Sequence, residues 1–305
     1  VWQLSGYMIL IYVAGFMGLS EDVIEAASID GATGWVKLKN IILVILAMTN
    51  LCLFFFVAHR EWQQYHFQNQ ARSDAVAFLA SRSITVDPDI LPRDRDALPP
   101  LTVVRDLDQE ARLAARLRGS DVQRQVSGGA VYRYSGAKGT IQFHNDGSFS
   151  ARFAQEAFPV GSDPAASAAT LLERLDFTGE LMERTDASLT FRQSWQGVPL
   201  FFNQVTLTVQ DGFFTAITSG QRLSGDPAED AARQAITPAS ALIQLLHGIN
   251  ELGDVCSRID GIQPGYAARS ALTGVTQLTP VWQVNTDTVV YQLDLVSGAV
   301  TRLSE

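Results

Sequence analysis

Cysteine is scarce in this chain of 305 residues, which contains only Cys52 and Cys256. Cys52 falls within an apolar run and Cys256 within a long region of mixed polarity, so the two thiols are not expected to pair. The region after residue 59 is therefore predicted to fold without an internal disulfide. Cys256 is interpreted as a small buried apolar residue, because a reactive thiol needs an electropositive setting and only Arg258 is close in sequence.

Positive charge is also in short supply. The formal net charge is −9, and the only lysines are Lys37, Lys39 and Lys138. An acidic chain lacks the basic surface that nucleic acids require. The composition therefore argues against a nucleic-acid partner.

Motifs of catalysis and metal binding are missing as well. The four histidines, His59, His66, His144 and His247, have no Cys or carboxylate partner at metal-ligand spacing. The chain has no Gly-x-Ser-x-Gly elbow and no glycine-rich phosphate loop. The sequence thus predicts no catalytic residue, no metal and no cofactor, and it favours a recognition protein over an enzyme.

Two long apolar runs are present near the start. Residues 41–58 contain Thr49 and Asn50 as their only polar side chains, and a helix of about 18 residues reaches about 27 Å, enough to cross a bilayer. A second candidate span covers about residues 2–19. Lys37 and Lys39 precede the later run, so the positive-inside tendency places that end in the cytoplasm. Residues 59–305 are then expected outside the cytoplasm, anchored in the cell membrane.

A short polar segment lies between these runs. Ser20 can cap a helix there, and the bland interpretation is an amphipathic connector. The run Glu25-Ala26-Ala27 with Gly31 is more specific, and it resembles the coupling loop of sugar-type ABC transporter permeases over residues 1–43. The resemblance implies that Glu25, Ala26, Ala27 and Gly31 contact an ABC ATPase. It ends at Leu43, which is followed by Val44 where the family has proline.

A second resemblance begins where the first ends. Trp35, Lys37, Lys39 and the apolar run, together with Pro280-Val281-Trp282 near the end, resemble the YycH/YycI family over about residues 34–305. That resemblance implies a membrane-anchored regulator that binds a cell-wall sensor histidine kinase, with its outer sheets engaging either the kinase sensor domain or a sister accessory regulator. Thr49 and Asn50 are then candidates for contact with partner helices in the membrane. The chain is accordingly predicted to be a fusion or chimera of two families.

Hydrophobic periodicity after residue 59 predicts helices and strands in a repeating order. Predicted helices cover residues 60–82, 106–118, 165–175 and 238–252. Predicted strands cover residues 131–134, 140–143, 148–153, 188–194, 200–209, 213–220, 271–276, 281–286, 289–295 and 299–303. A helix followed by an antiparallel meander thus occurs at least twice, and up to three times, which resembles PepSY-type modules.

The predicted fold class is α+β, with two N-terminal transmembrane helices followed by an extracytoplasmic domain of helices packed on antiparallel β-meanders. The predicted divisions are residues 1–40 (permease-like span and loop), 41–58 (transmembrane helix), 59–155 (membrane-proximal module) and 156–305 (C-terminal modules). The predicted function is regulation of a sensor histidine kinase. The alternatives are a carbohydrate ABC permease fragment that couples to its ATPase, and a PepSY-type peptidase inhibitor or ligand binder that needs no kinase.

Overall fold

The computed structural model describes residues 22, 25–26, 29, 43–93, 97–118, 123–270 and 275–303. The chain divides into two compact units, Val1–Ala71 and Arg72–Glu305. The module boundary predicted near residue 155 stays a prediction.

Helix α1, Leu43–Ser81, begins in the first unit and ends in the second. It confirms the helix that the sequence predicts over residues 60–82. The span predicted at residues 2–19 lies outside the described residues. Among the described residues, none of the helices combines the length with the apolar content of a membrane span, so the span predicted at residues 41–58 is not confirmed.

The described part of the second unit contains three copies of one motif, a helix followed by a four-stranded antiparallel meander. After β1 (Thr85–Val86), a 3₁₀ helix (Pro88–Ile90) and β2 (Leu101–Val104), the first copy comprises α2 (Leu107–Arg118), β3 (Gln123–Ser127), β4 (Val131–Gly136), β5 (Gly139–Phe143) and β6 (Ser148–Phe153). The second comprises α3 (Pro164–Glu173), β7 (Gly179–Arg184), β8 (Ser188–Trp195), β9 (Val198–Gln210) and β10 (Phe213–Gln221). The third follows β11 (Pro227–Glu229) and comprises α4 (Pro238–Glu251), β12 (Arg258–Ser270), β13 (Val275–Thr286), β14 (Val290–Asp294) and β15 (Val300–Leu303).

Local sequence explains where the last two helices begin. Asp163 caps α3 by accepting from the main-chain N–H of Ala165 at 2.9 Å, and Pro164 occupies the first turn. Thr237 caps α4 in the same way, with Pro238 next. A side-chain acceptor followed by proline is a strong start signal, since proline at the first helical position has no N–H to leave unsatisfied.

The first two copies share one antiparallel sheet, in the order β3-β4-β5-β6-β10-β9-β8-β7. The last strands of the two meanders, β6 and β10, pair at its centre. Helices α2 and α3 contribute to one common core with this sheet, which includes Leu117, Leu172, Ile141, Phe149 and Leu207. Burying each such side chain stabilises the fold by about 1.5–3 kcal/mol.

The third copy forms a second antiparallel region, with β2 and β14 both pairing with the long strand β13. Helix α4 packs there through Leu242, Leu245 and Ile249, against Trp282 and Tyr291. Two parallel contacts complete the connections: β1 pairs β12, and β12 meets β9 at Tyr266 and Leu200. The unit is therefore α+β with a mixed sheet.

The structure corrects the predicted strands in two respects. The sequence pattern predicts no strand at six places where the structure has one, namely β1, β2, β3, β7, β11 and β12. The two strands predicted at residues 271–276 and 281–286 are in fact joined in one strand, β13, although residues 271–274 lie outside the described part. Pro280 lies within β13, where it pairs in register with Tyr266 of β12.

Candidate functional site

The residues that the sequence predicts for partner contact belong to helix α1 or precede it in the chain. Asn50 donates from Nδ2 to the main-chain oxygen of Leu46 at 3.0 Å, one turn earlier, and Thr49 is half-buried beside it. Glu25 and Ala26 are helical and exposed, whereas Ala27 and Gly31 lie outside the described residues. Their roles as partner-binding and coupling residues stay predictions.

A buried group of charges lies beside the start of α2. Arg105 and Glu110 form a bidentate ion pair, with Nε to Oε1 at 2.7 Å and Nη2 to Oε2 at 2.9 Å. The two side chains are only 7% and 1% exposed. Arg105 also donates to the main-chain oxygen of Ala130 at 2.8 Å and lies over the ring of Tyr132. The carboxylate of Glu110 is thus fully engaged by one arginine.

A second arginine, Arg222, is buried close to this pair. It follows β10 and is only 4% exposed. Its Nη2 donates to Oε1 of Gln109 at 3.2 Å, but no described residue accepts from Nε or Nη1. Burial lowers the pKa of Arg222 to about 10, while the charges of Glu110 and Asp176 act in the opposite direction. The guanidinium therefore stays charged at neutral pH.

Arg222 lines a pocket of about 420 Å³, which we call the Arg222 pocket. Its other walls are Gln109 of α2, Asp176 and Thr178 ahead of β7, residues 193–197 at the β8–β9 turn, and residues 223 and 225–227. Positive φ angles at Gln196 and Gly197 give the tight two-residue turn that suits a β-hairpin. That turn places Trp195 and Ser194 on the pocket wall.

Amide side chains support the back of this pocket. Gln193 is 3% exposed, and its Oε1 accepts from the main-chain N–H of Leu223 and from Nδ2 of Asn203, both at 3.0 Å. Trp195 packs edge-to-face against Tyr266, whose hydroxyl donates to the oxygen of Pro99 at 3.0 Å. The pocket thus has a buried cation, two carboxylates (Asp176 and Asp226), neutral hydrogen-bonding groups and an aromatic wall.

A larger pocket of about 460 Å³ lies elsewhere on the sheet, lined by residues that include His144, Ser150, Phe202 and Gln204. It carries hydroxyl and amide groups without a buried charge. Among the described residues, no three His, Cys, Asp or Glu side chains are grouped as metal ligands would be. The Arg222 pocket therefore has the more specific chemistry of the two.

The edge of the sheet next to this pocket is a second candidate site. Strand β7 pairs with β8 on one side, and no other described strand pairs with it. All six of its residues are exposed, including Leu181 and Met182 at 39% and 47%. The register shifts between Leu181 and Glu183, so Met182 is the extra residue of a bulge.

Sequence reasoning missed both sites. Arg222 stands in a loop with no motif, and its neighbours Gln109 and Gln193 are distant along the chain. The local signal that exists is Gln196-Gly197 between two strand-like runs, which predicts a hairpin but not a pocket. Strand β7 has no buried side chain, so the alternation that identifies other strands is absent.

Comparisons with known proteins give partial likenesses. No family model matches the chain. The probable starch degradation products transport system permease protein AmyD of Thermoanaerobacterium thermosulfurigenes is 39% identical over 46 residues, which are 15% of this chain and 16% of that permease. The chain therefore spans about a sixth of the length of the curated relative that it matches. This match is consistent with the permease resemblance in the sequence.

Two solved structures are similar over 67% of the chain, each at 12% identity. One is an uncharacterized protein from Eubacterium rectale ATCC 33656, covered over 80% of its length with a TM-score of 0.34. The other is the C-terminal domain of YpeB from Bacillus megaterium, covered over its whole length with a TM-score of 0.32. Because both TM-scores are below 0.5, neither likeness supports a functional argument.

Proposed function

We propose that the chain is a membrane-associated regulatory protein whose unit Arg72–Glu305 recognises a partner protein and modulates its activity. The resemblance to YycH/YycI supports a sensor histidine kinase as that partner. The match to a transport permease supports a location at a membrane.

The observation that carries this proposal is the open edge of β7. An edge strand presents a row of main-chain N–H and C=O groups, and partner strands add to such edges in many complexes. The adjacent apolar residues Leu181 and Met182 supply side-chain contacts for an added strand.

The edge is held in position before any partner binds. Ser194 donates from its main-chain N–H to the oxygen of Thr178 at 2.7 Å, just ahead of β7. Arg192 of β8 forms an ion pair with Glu180 of β7. A preformed edge reduces the ordering entropy that binding would otherwise cost. Charges at Glu180, Glu183 and Arg184 limit indiscriminate pairing with other strands.

Capture of the sensor kinase by the full chain tests the proposal. The full-length protein is immobilised and the kinase is supplied in lipid nanodiscs. Met182→Lys places a charge in the apolar part of the edge, so we expect it to weaken capture by about tenfold or more. Val255→Lys is the matched control, because Val255 is an exposed apolar residue outside the strands.

Equal capture by the Met182→Lys protein and the wild type would show that β7 is not the contact surface. Failure of the wild type to capture the kinase would remove the kinase from the proposal. Weakening by Val255→Lys to the same degree would point to a nonspecific effect of added charge.

The permease match favours one alternative function. In it, Glu25, Ala26, Ala27 and Gly31 contact an ABC ATPase, and the chain acts as part of a carbohydrate transporter. Glu25→Arg in the full chain should then abolish co-purification with an ATPase, while Met182→Lys leaves it unchanged. If the chain captures the kinase, and Met182→Lys abolishes that capture while Glu25→Arg does not, this alternative is rejected.

A further inference from the structure

The charge balance around the Arg222 pocket is incomplete within the folded unit. Two buried arginines, Arg105 and Arg222, share the neighbourhood of one buried carboxylate, Glu110. Arg105 takes both oxygens of that carboxylate. Asp176 is already paired with Arg116 at 2.6 Å, on the exposed side. Arg222 is thus a buried cation whose Nε and Nη1 have no acceptor among the described residues.

A buried guanidinium with unsatisfied donors lowers the stability of the fold. Removing an arginine from water without pairing it is unfavourable, and such charges are normally paired or replaced by apolar residues. Proteins keep such buried charges at sites that bind ligands, because the ligand supplies the missing countercharge.

We propose that the Arg222 pocket binds a small carboxylic acid that carries hydroxyl or amino groups. A carboxylate is the group that a guanidinium binds best, and in this pocket it would supply negative charge beside the buried cation of Arg222. Gln109 and Ser194 line the same pocket and provide further hydrogen-bonding groups. Trp195 offers an apolar face for the carbon skeleton of the ligand.

The pocket walls also discriminate between anions. Asp176 and Asp226 line the pocket together with Arg222. A phosphate monoester carries nearly two negative charges at neutral pH and is repelled by these carboxylates more strongly than a carboxylate is. Hydroxyl or ammonium groups on the ligand, by contrast, can donate to Asp226. The site therefore favours a singly charged acid over a phosphate.

Binding of three sugars to the full chain tests the proposal. The three share the same ring and differ in the group attached at one carbon. Glucuronate carries the carboxylate, glucose lacks it, and glucose 6-phosphate replaces it with a phosphate. Isothermal titration should show saturable binding of glucuronate with a dissociation constant of about 1 mM or lower. Glucose and glucose 6-phosphate should bind at least about tenfold more weakly.

Arg222→Met is the decisive variant, because it replaces the charged guanidinium with an uncharged, unbranched apolar side chain. It should abolish glucuronate binding while the thermal midpoint without ligand stays the same or rises, since an unpaired buried charge is lost. Arg112→Gln removes an exposed charge from α2 outside the pocket and should leave binding unchanged. Asp226→Asn should strengthen glucose 6-phosphate binding relative to wild type.

Absence of glucuronate binding by the wild type would overturn the proposal, as would equal binding by the Arg222→Met protein. Stronger binding of glucose 6-phosphate than of glucuronate would overturn the choice of a carboxylate. The inference is independent of the partner proposed above, because binding is measured without a kinase. Met182→Lys, which impairs the β7 edge, should leave glucuronate binding intact.

Discussion

At the scale of single residues, Glu110 stabilises the fold through its buried ion pair with Arg105. Its carboxylate accepts two hydrogen bonds from Arg105, and its charge raises the pKa of Arg222 against the effect of burial. Glu110→Gln would leave the buried Arg105 without a countercharge and would remove one of the two carboxylates that act on Arg222. We expect a loss of about 3–5 kcal/mol in the free energy of unfolding, measured by urea denaturation.

Asp108→Asn is the control for this prediction. Asp108 is an exposed carboxylate in the first turn of the same helix, so the change in net charge is identical while no buried pair is broken. An equal and small effect of both substitutions would show that the Arg105–Glu110 pair does not stabilise the fold as described.

Asp254 makes the stability of the unit Arg72–Glu305 depend on pH in the acid range. Hydrogen bonds from Arg302, and then from the hydroxyl of Tyr291 at 2.9 Å, hold the pKa of Asp254 below its usual range. A carboxyl whose folded pKa is depressed contributes stability above its unfolded pKa of about 3.9, and that contribution is lost as the pH falls through the folded pKa. Asp254→Asn should lower stability at neutral pH and reduce the further loss in acid.

Thermal midpoints of the wild type and the Asp254→Asn protein, measured from about pH 6 to about pH 3, test this sign. The pKa values of Asp106, Asp146, Asp230 and Asp287 are also lowered, so both proteins lose stability in acid. The prediction is that the two curves converge as the pH falls. Parallel curves would contradict it.

At the scale of elements, Gly265 controls how closely β12 approaches β9. A Cβ at this position would lie 2.5 Å from Cε2 of Phe201 and 2.7 Å from the main-chain oxygen of Pro199. Gly265→Ala would therefore force apart the parallel contact between Tyr266 and Leu200. We expect it to lower the free energy of unfolding by about 1–3 kcal/mol, measured by urea denaturation.

The same strand contains its own control. A Cβ at Gly261 would meet only Nδ2 of Asn285, at the ordinary distance of 3.8 Å. Gly261→Ala should consequently change stability far less than Gly265→Ala does. A larger loss for Gly261→Ala would mean that close approach to β9 is not what Gly265 provides.

These elements also show what sequence patterns can predict. Strand β6 has the predicted bounds of 148–153, because its core positions alternate and Asn145-Asp146-Gly147 marks the turn before it. Strand β12 was beyond the pattern, since Gly261, Pro264 and Gly265 resemble breakers. Whether these residues end a strand or lie within one depends on the pairing of β12 with β9 and β13, which other parts of the chain supply. The Arg222 pocket was unpredictable for the same reason.

At the scale of the whole molecule, some edge strands of the repeated helix-and-meander motif are paired with another copy and others are left open. The pairing of β6 with β10 hides the last strands of the first two copies at the centre of their sheet. Strands β3 and β7 are left as the ends of that sheet. Of these two ends, β7 exposes two adjacent apolar residues and lies beside the Arg222 pocket. The proposed partner recognition therefore belongs to this side of the sheet.

Hydrogen exchange of the full chain, with and without the sensor kinase in nanodiscs, tests this assignment most directly. Edge strands exchange early because their amides lack a second partner strand. The account predicts that the kinase slows exchange in Gly179–Arg184 and leaves β3 unchanged. Slowed exchange confined to other segments, or none at all while the kinase is bound, would contradict it.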